Sequence, residues 1–195
     1  NSEPGDILGP VALDGDTVTT PVQQSAVVVS GGFSRVEFGN FCLVGSGGRT
    51  LGFWSNRNGF AAMNDGGTVE PELLLLRNLN LRNANGTHLN PTSYSQFRSW
   101  LLAATAENMA YMLSAQLAAM ALNVEAGFVD AGDFYILFGG TIGDLMADAD
   151  AALLADGSTP AGDPNRALQE ELKDYLDELN NGALVVPAVP CAATF

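Results

Sequence analysis

The stretch Met109–Val124 constrains the fold of this 195-residue chain more than any other part of the sequence. It is apolar apart from Ser114, Gln116 and Asn123, and its large side chains recur at helical spacing. A membrane span needs about 18 or more consecutive apolar residues, so this interrupted run is not expected to cross a bilayer. We therefore expect a buried helix, whose many alanines let neighbouring helices approach closely.

Three further helices are predicted around this central one. Their termini are indicated by residues that cap or stop helices, such as Ser and Thr at the start and Gly at the end. The predicted starts and ends are Ser93 for the first helix, Thr105 and Gly127 for the central one, Thr141 and Gly157 for the third, and Asp163-Pro164 and Gly182 for the fourth.

The remaining segments are predicted to be strands, loops or short turns. Residues 1–50 have β character, and Leu184–Cys191 is expected to form an edge strand because Pro187 and Pro190 cannot donate to a central ladder. A helical turn is expected at Leu73–Leu76, with loops at Gly52–Gly67 and Asn78–Asn90.

These patterns together predict an α+β fold of about four packed helices with β arms from both ends. The N-terminal arm would cover residues 1–50. The helical module, with its C-terminal edge strand, would cover residues 51–195, and the two parts would make one compact domain overall.

The charge of the chain restricts the partners that it is expected to bind. It carries 22 Asp and Glu residues against 8 Lys and Arg residues, a net charge of −14. Binding to a phosphate backbone needs clustered basic side chains, so nucleic acid is not an expected partner. The acidity favours a role in solubility, and scattered calcium ligation is the alternative.

The two cysteines, Cys42 and Cys191, fit an exported protein. The chain begins at Asn1 without a signal sequence, as expected of a mature product from which a signal peptide has been removed. In that setting the two cysteines are expected to pair, and the alternative is two buried free thiols. Without a Cys-x-x-Cys pair, they do not predict a zinc site.

No set of residues in the sequence predicts catalysis, metal binding or a cofactor. The one histidine, His88, is expected to lie in an exposed loop without a nucleophile in a recognisable motif. Asp144, Asp148 and Asp150 are expected to line a solvated helix face, because the EF-hand pattern is absent. The glycosylation sequon at Asn85 is a match that short motifs make by chance. We expect a protein that is not an enzyme.

Four motifs occur in a fixed order between residues 50 and 182. They are Gly52-Phe53-Trp54-Ser55-Asn56, Leu113–Asn123, Ala147–Leu154 and Leu176–Gly182. In this order they resemble a module that is common among secreted and surface proteins of bacteria. The resemblance implies an extracellular or cell-surface protein without an assigned enzymatic activity. Arg57 stands where the motif usually has His, which removes one candidate ligand or base.

Two regions are predicted to carry self-association. The apolar residues Val27, Val28 and Val29 need cover on both faces, and the run Phe134, Tyr135, Ile136, Leu137 and Phe138 fits either a buried strand or a sticky surface loop. The leading hypothesis is a structural extracellular protein that binds copies of itself by strand addition, as a filament or surface-layer subunit.

The alternative hypothesis is a monomeric adhesive or carbohydrate-binding module. It places a glycan on the aromatic segment that contains Gly52, Phe53, Trp54, Asn56 and Phe60. Aromatic rings can stack on sugars, but they also anchor loops to a core, and the sequence favours anchoring.

Overall fold

The computed structural model describes residues 16–18 and 40–189 of the chain. The chain divides into two compact units, one formed by residues 1–44 with 189–195 and the other by residues 45–188. The boundary between residues 44 and 45 lies near the boundary predicted at residue 50. In the first unit, strands β1 (Asp16–Val18) and β2 (Asn40–Cys42) pair antiparallel, with Thr17 opposite Phe41.

The described residues contain seven α-helices and six short strands, which confirms the predicted α+β class. The helices are α1 (Leu51–Trp54), α2 (Arg57–Met63), α3 (Glu70–Asn78), α4 (Tyr94–Leu102), α5 (Met109–Glu125), α6 (Ile142–Ala155) and α7 (Arg166–Asn180). The remaining strands are β3 (Val44–Gly45), β4 (Phe134–Tyr135), β5 (Gly140–Thr141) and β6 (Leu184–Val185).

Helix α5 is the centre of the second unit, and the prediction of a buried helix is confirmed. Every residue from Met109 to Asn123 except Met112 is buried. It packs against α1, α3, α6 and α7, and it also contacts α4, because the Tyr111 ring lies 5.5 Å from the Trp100 ring. Four residues of α5 have the small alanine side chain, so α6 and α7 can lie close to the backbone of α5. They are Ala115, Ala118, Ala119 and Ala121.

The helix starts agree with the sequence in part. Ser93 and Thr141 cap α4 and α6 as predicted, and Thr141 forms a capping box with Asp144. The predicted cap Thr105 is wrong, because α5 begins after Asn108. The Asn108 side chain accepts a hydrogen bond from Ala110 N at 3.2 Å and also one from Thr159 N at 2.9 Å, which ties the start of α5 to a distant loop.

The prediction of a loop at Gly52–Gly67 is also wrong, because this segment contains α1 and α2. The Thr50 side chain caps α1 and the Asn56 side chain caps α2, so Asn marks a helix start here. Gly59 lies inside α2 against the backbone of α1, where an added Cβ would be 2.4 Å from Phe53 O. The glycine therefore serves close packing between two helices.

The loop predicted at Asn78–Asn90 is present apart from an isolated bridge between Arg82 and His88. The turn predicted at Leu73–Leu76 lies within the longer helix α3. β6 lies in the predicted C-terminal strand region, and Pro190 and Cys191 lie outside the described residues. None of the helices in the described part of the chain is long and apolar enough to cross a membrane.

Candidate association surface and the buried motif network

A small β structure in the second unit exposes large apolar side chains on its strands and on the turn after β4. Strands β4 and β5 pair antiparallel, and Phe134 of β4 bridges Val186 just beyond β6. The N–H groups of Phe134 and Val186 donate to each other's carbonyl oxygens at 2.8 and 2.9 Å. Directly opposite residues in an antiparallel pair point to the same side, so Phe134, Val186 and Leu184 share one face.

We call the exposed apolar residues of this structure the outer patch: Phe134, Ile136, Leu137 and Leu184. Their exposed fractions are 41%, 44%, 65% and 57%. Phe134 and Leu184 belong to strands, and Ile136 and Leu137 lie in the turn that follows β4. All four side chains of the patch are uncharged, whereas the chain as a whole has a net charge of −14.

The other face of the same strands is fixed to α7. Tyr135 and Val185 are buried, and the Tyr135 hydroxyl donates a hydrogen bond to the Glu178 carboxylate. Burial raises the pKa of Tyr135, and the bond to Glu178 raises it further. The rings of Tyr135 and Phe138 each lie 6.0 Å from the Tyr175 ring. These contacts hold the outer patch on a rigid helix.

The structure thus separates the five residues predicted from the Phe134–Phe138 run. Phe134, Ile136 and Leu137 are exposed, Phe138 is half-buried and Tyr135 belongs to the core. Leu184 was missed, although alternation along Leu184-Val185-Val186 could have indicated that one of these side chains faces outward. Val27, Val28 and Val29 lie outside the described residues, so their predicted role stays a prediction.

Three of the sequence motifs meet in one buried hydrogen-bond network at the centre of the second unit. Asn123 of α5 accepts a hydrogen bond from Trp54 Nε1 at 3.2 Å and donates one to Asn180 Oδ1 at 2.8 Å. Asn180 donates in turn to Gln116 Oε1 at 2.8 Å, and Gln116 Nε2 donates to Asp177 Oδ1 at 2.9 Å. The network therefore connects α1, α5 and α7.

Asn123 uses its whole hydrogen-bonding capacity in this network. Besides Trp54 and Asn180, it bonds both backbone polar groups of Arg49, accepting from the N–H and donating to the carbonyl oxygen at 3.0 Å each. Trp54, Asn123 and Asn180 are at most 1% exposed. A buried polar network with every member satisfied rigidifies a core. These motif residues therefore stabilise the packing of α1, α5 and α7 against one another.

The aromatic motif is anchored to the core. Trp54 is 1% exposed, so neither face of its indole is available for stacking on a sugar. Phe53 packs edge-on against Trp54 and Phe128 at 5.1 and 5.8 Å. Phe60 is exposed but its ring contacts Tyr94 at 4.9 Å.

The backbone of the motif is also held by side chains from α4. The Tyr94 hydroxyl donates to Asn56 O at 2.8 Å and also lies 3.1 Å from Trp54 O. Arg98 Nε donates to Ser55 O at 2.8 Å. Gly52 lies within α1. The aromatic segment is therefore anchored to the core and to α4, as the sequence predicted.

The isolated histidine and the acidic residues have local partners. His88 is exposed, and its Nε2 lies 2.8 Å from Leu79 O. Asp144 completes the capping box of α6, and Asp150 accepts hydrogen bonds from the backbone and side chain of Asn80. Within residues 16–18 and 40–189, no group of three or more His, Cys, Asp or Glu side chains is arranged to hold a metal ion.

Cys42 ends β2 and is half-buried. Its predicted partner Cys191 lies outside the described residues, so the disulfide stays a prediction. The chain matches no family model, no curated protein and no solved structure at a significant level.

Proposed function

We propose that this protein is a non-enzymatic extracellular structural protein that self-associates through the outer patch, as the subunit of a filament or surface layer. One observation carries the proposal. Four large apolar side chains are exposed on strands and a turn whose opposite face is buried against α7. Exposed apolar patches of this kind mark interaction sites on soluble proteins.

The partner proposed for the patch is a second copy of the chain. The patch is uncharged, so two copies can bring it together without burying unpaired charge. The sequence supplies a further apolar segment, Val27–Val29, which is predicted to be a strand and can add to a sheet edge of a neighbour. The strands β4 and β5 that carry part of the patch are only two residues long, so side-chain burial rather than backbone pairing would provide most of the affinity.

The extracellular location is part of the proposal. It is supported by the order of the four motifs, which resembles that of exported bacterial modules, and by the two cysteines that are predicted to pair. The interior of the second unit supports a structural role, because the motif residues serve a buried network.

Substituting a leucine of the patch tests the proposal. Leu137→Glu places a charge at the most exposed position of the patch and should shift the protein from assemblies to monomers. Leu154→Glu on α6 is the matched control, because Leu154 is also 65% exposed and the charge change is the same. Sedimentation velocity and electron microscopy of the wild type and both variants measure the result.

The proposal is wrong if the wild type is monomeric at high concentration, or if both leucine variants assemble as the wild type does. A chain lacking residues 1–30 tests the strand-addition part separately. It should stay folded by circular dichroism and fail to form filaments, and filaments of the truncated chain would exclude a role of Val27–Val29.

A further inference from the structure

A small pocket opens between α2, α3 and the end of α5, away from the outer patch. It is lined by Trp54, Ala62, Met63, Asp65, Glu72, Leu122, Glu125 and Ala126. Trp54, Met63 and Leu122 are buried core residues, so the inner wall of the pocket is apolar. The three charged residues on its wall are all acidic, and each comes from a different segment of the chain.

Glu72 is in an unfavourable position for a charged group. Its Oε2 atom is buried and has no hydrogen-bond partner within the described residues. Asp65 faces it from the connection after α2, and Glu125 faces it from the end of α5. On its own helix, the nearby cation Arg77 is engaged elsewhere, because it pairs with Glu70 and donates to Pro91 O.

These surroundings make the charged form of Glu72 costly in the folded protein. Burial raises the pKa of Glu72 above its ordinary value of 4.5, and the negative charges of Asp65 and Glu125 raise it as well. A hydrogen bond from the Glu72 backbone N–H acts in the opposite direction and does not cancel the increase. Glu72 lies in the first turn of α3, where the helix dipole also favours the charged form.

We propose that Glu72 is a proton-operated latch between α3 and the end of α5. In its neutral form, the carboxyl group can donate its proton in a hydrogen bond to the carboxylate of Asp65 or Glu125, which closes the pocket. In its ionised form, three negative charges meet at an apolar wall and loosen the packing of α3 on α5. The latch is independent of the outer patch and of self-association.

The direction of the pH effect follows from linkage. Because the pKa of Glu72 is higher in the folded than in the unfolded chain, its contribution to stability is present below about 4.5. This contribution is lost as the pH rises from there through the folded-state pKa. Acidification therefore favours the closed form of the latch, and a rising pH favours the open form.

The variant Glu72→Gln tests the latch because it makes the side chain permanently neutral with little change in shape. At pH 7 its Tm should exceed that of the wild type by about 2 °C or more. At pH 4 the two should unfold at the same temperature. Glu107→Gln is the control for overall charge, since Glu107 is exposed before α5 and does not line the pocket. Equal Tm shifts of both variants at pH 7 would overturn the proposal.

A second measurement uses the wild-type protein and does not depend on how the variant folds. Carbon-13 NMR of the Glu72 side chain gives its titration midpoint directly. We expect a midpoint above 4.5, together with faster amide exchange in α3 at pH 7 than at pH 5 after correction for the intrinsic rate. A midpoint at or below 4.5 would contradict the latch.

Discussion

The indole Nε1 of Trp54 donates a hydrogen bond to Oδ1 of Asn123 at 3.2 Å and thereby connects residues 69 positions apart in the chain. Trp54 ends α1, and Asn123 lies near the end of α5. Through the next bond, from Asn123 to Asn180, the same contact reaches the last residue of α7. Three motifs that are separate in the sequence are thus one structural unit.

Removing the Asn123 side chain should strongly destabilise the protein. In Asn123→Ala, the Trp54 indole N–H and Asn180 Oδ1 lose a buried partner, and the backbone groups of the exposed Arg49 lose a partly buried one. Each unsatisfied buried group costs about 1–3 kcal/mol, so we expect a loss of about 3–5 kcal/mol in the free energy of unfolding. Urea denaturation followed by tryptophan fluorescence measures the change.

The control for this variant is Asn181→Ala. Asn181 is exposed, and its side-chain nitrogen bonds only to Asp177 one turn earlier. We expect a loss of at most about 1 kcal/mol. Similar losses for both asparagine variants would mean that the buried network contributes no more than an exposed side chain.

Gly59→Ala should destabilise the contact between α1 and α2. The added Cβ would lie 2.4 Å from Phe53 O and 2.5 Å from Trp54 Cα, both of them backbone atoms that cannot move alone. We expect a loss of about 1–3 kcal/mol, the usual cost of overpacking. Gly66→Ala is the matched control because no atom lies within 4 Å of its added Cβ. Thermal unfolding of both variants measures the difference, and equal stability would contradict the observed packing.

The sequence predicted those parts of the fold that depend on local pattern. The periodicity of Met109–Val124 predicted a buried helix, and Ser93 and Thr141 predicted helix starts, because caps act within one turn. The segment Gly52–Gly67 was predicted wrongly because Asn and Gly also serve as a cap and as a close contact. The partner that makes Gly59 necessary is α1, and a sequence pattern does not show such a contact.

The outer patch and the buried network were less predictable from the sequence than the helices were. The apolar run Phe134–Phe138 indicated an unusual surface, but the exposure of Leu137 and the burial of Tyr135 depend on how β4 lies on α7. The buried network was not predicted, because its hydrogen bonds join residues more than 50 positions apart. Polar residues inside apolar helices, such as Gln116 and Asn123, are the one signal that could have indicated it.

The bond between Tyr135 and Glu178 should make stability depend on pH in the alkaline range. The pKa of Tyr135 is raised above its ordinary value of 10.0 in the folded state, so the contribution of its neutral form is present below 10. It is lost as the pH rises beyond that value, because the unfolded chain releases the proton more easily. Near pH 8, Tyr135→Phe should therefore have a free energy of unfolding about 1–2 kcal/mol lower than that of the wild type. Above pH 10 the variant should lose less stability than the wild type does.

Tyr175→Phe separates this effect from the general loss of a hydroxyl group. The Tyr175 hydroxyl donates to Glu171 on the exposed side of α7, so its removal should change stability by less than about 0.5 kcal/mol near pH 8. The stability of both variants is measured by chemical denaturation from pH 8 to 11. A Tyr135→Phe profile parallel to that of the wild type would show that the buried hydroxyl does not control the alkaline transition.

Self-association should become stronger as the salt concentration rises. The net charge of −14 makes copies repel one another, while the contact proposed between outer patches is made by uncharged side chains. Three of the described arginines, Arg82, Arg98 and Arg166, donate to carbonyl oxygens of their own chain, which limits their attraction to other copies. Screening shortens the range of repulsion from about 10 Å at 0.1 M salt to about 3 Å at 1 M.

Sedimentation velocity at these two salt concentrations should therefore show larger assemblies at the higher one. Leu137→Glu should stay monomeric at both, because the variant removes the attraction rather than the repulsion. Assemblies that dissociate in 1 M salt would indicate that ion pairs hold the copies together. In that case the apolar outer patch would not be the surface that joins them.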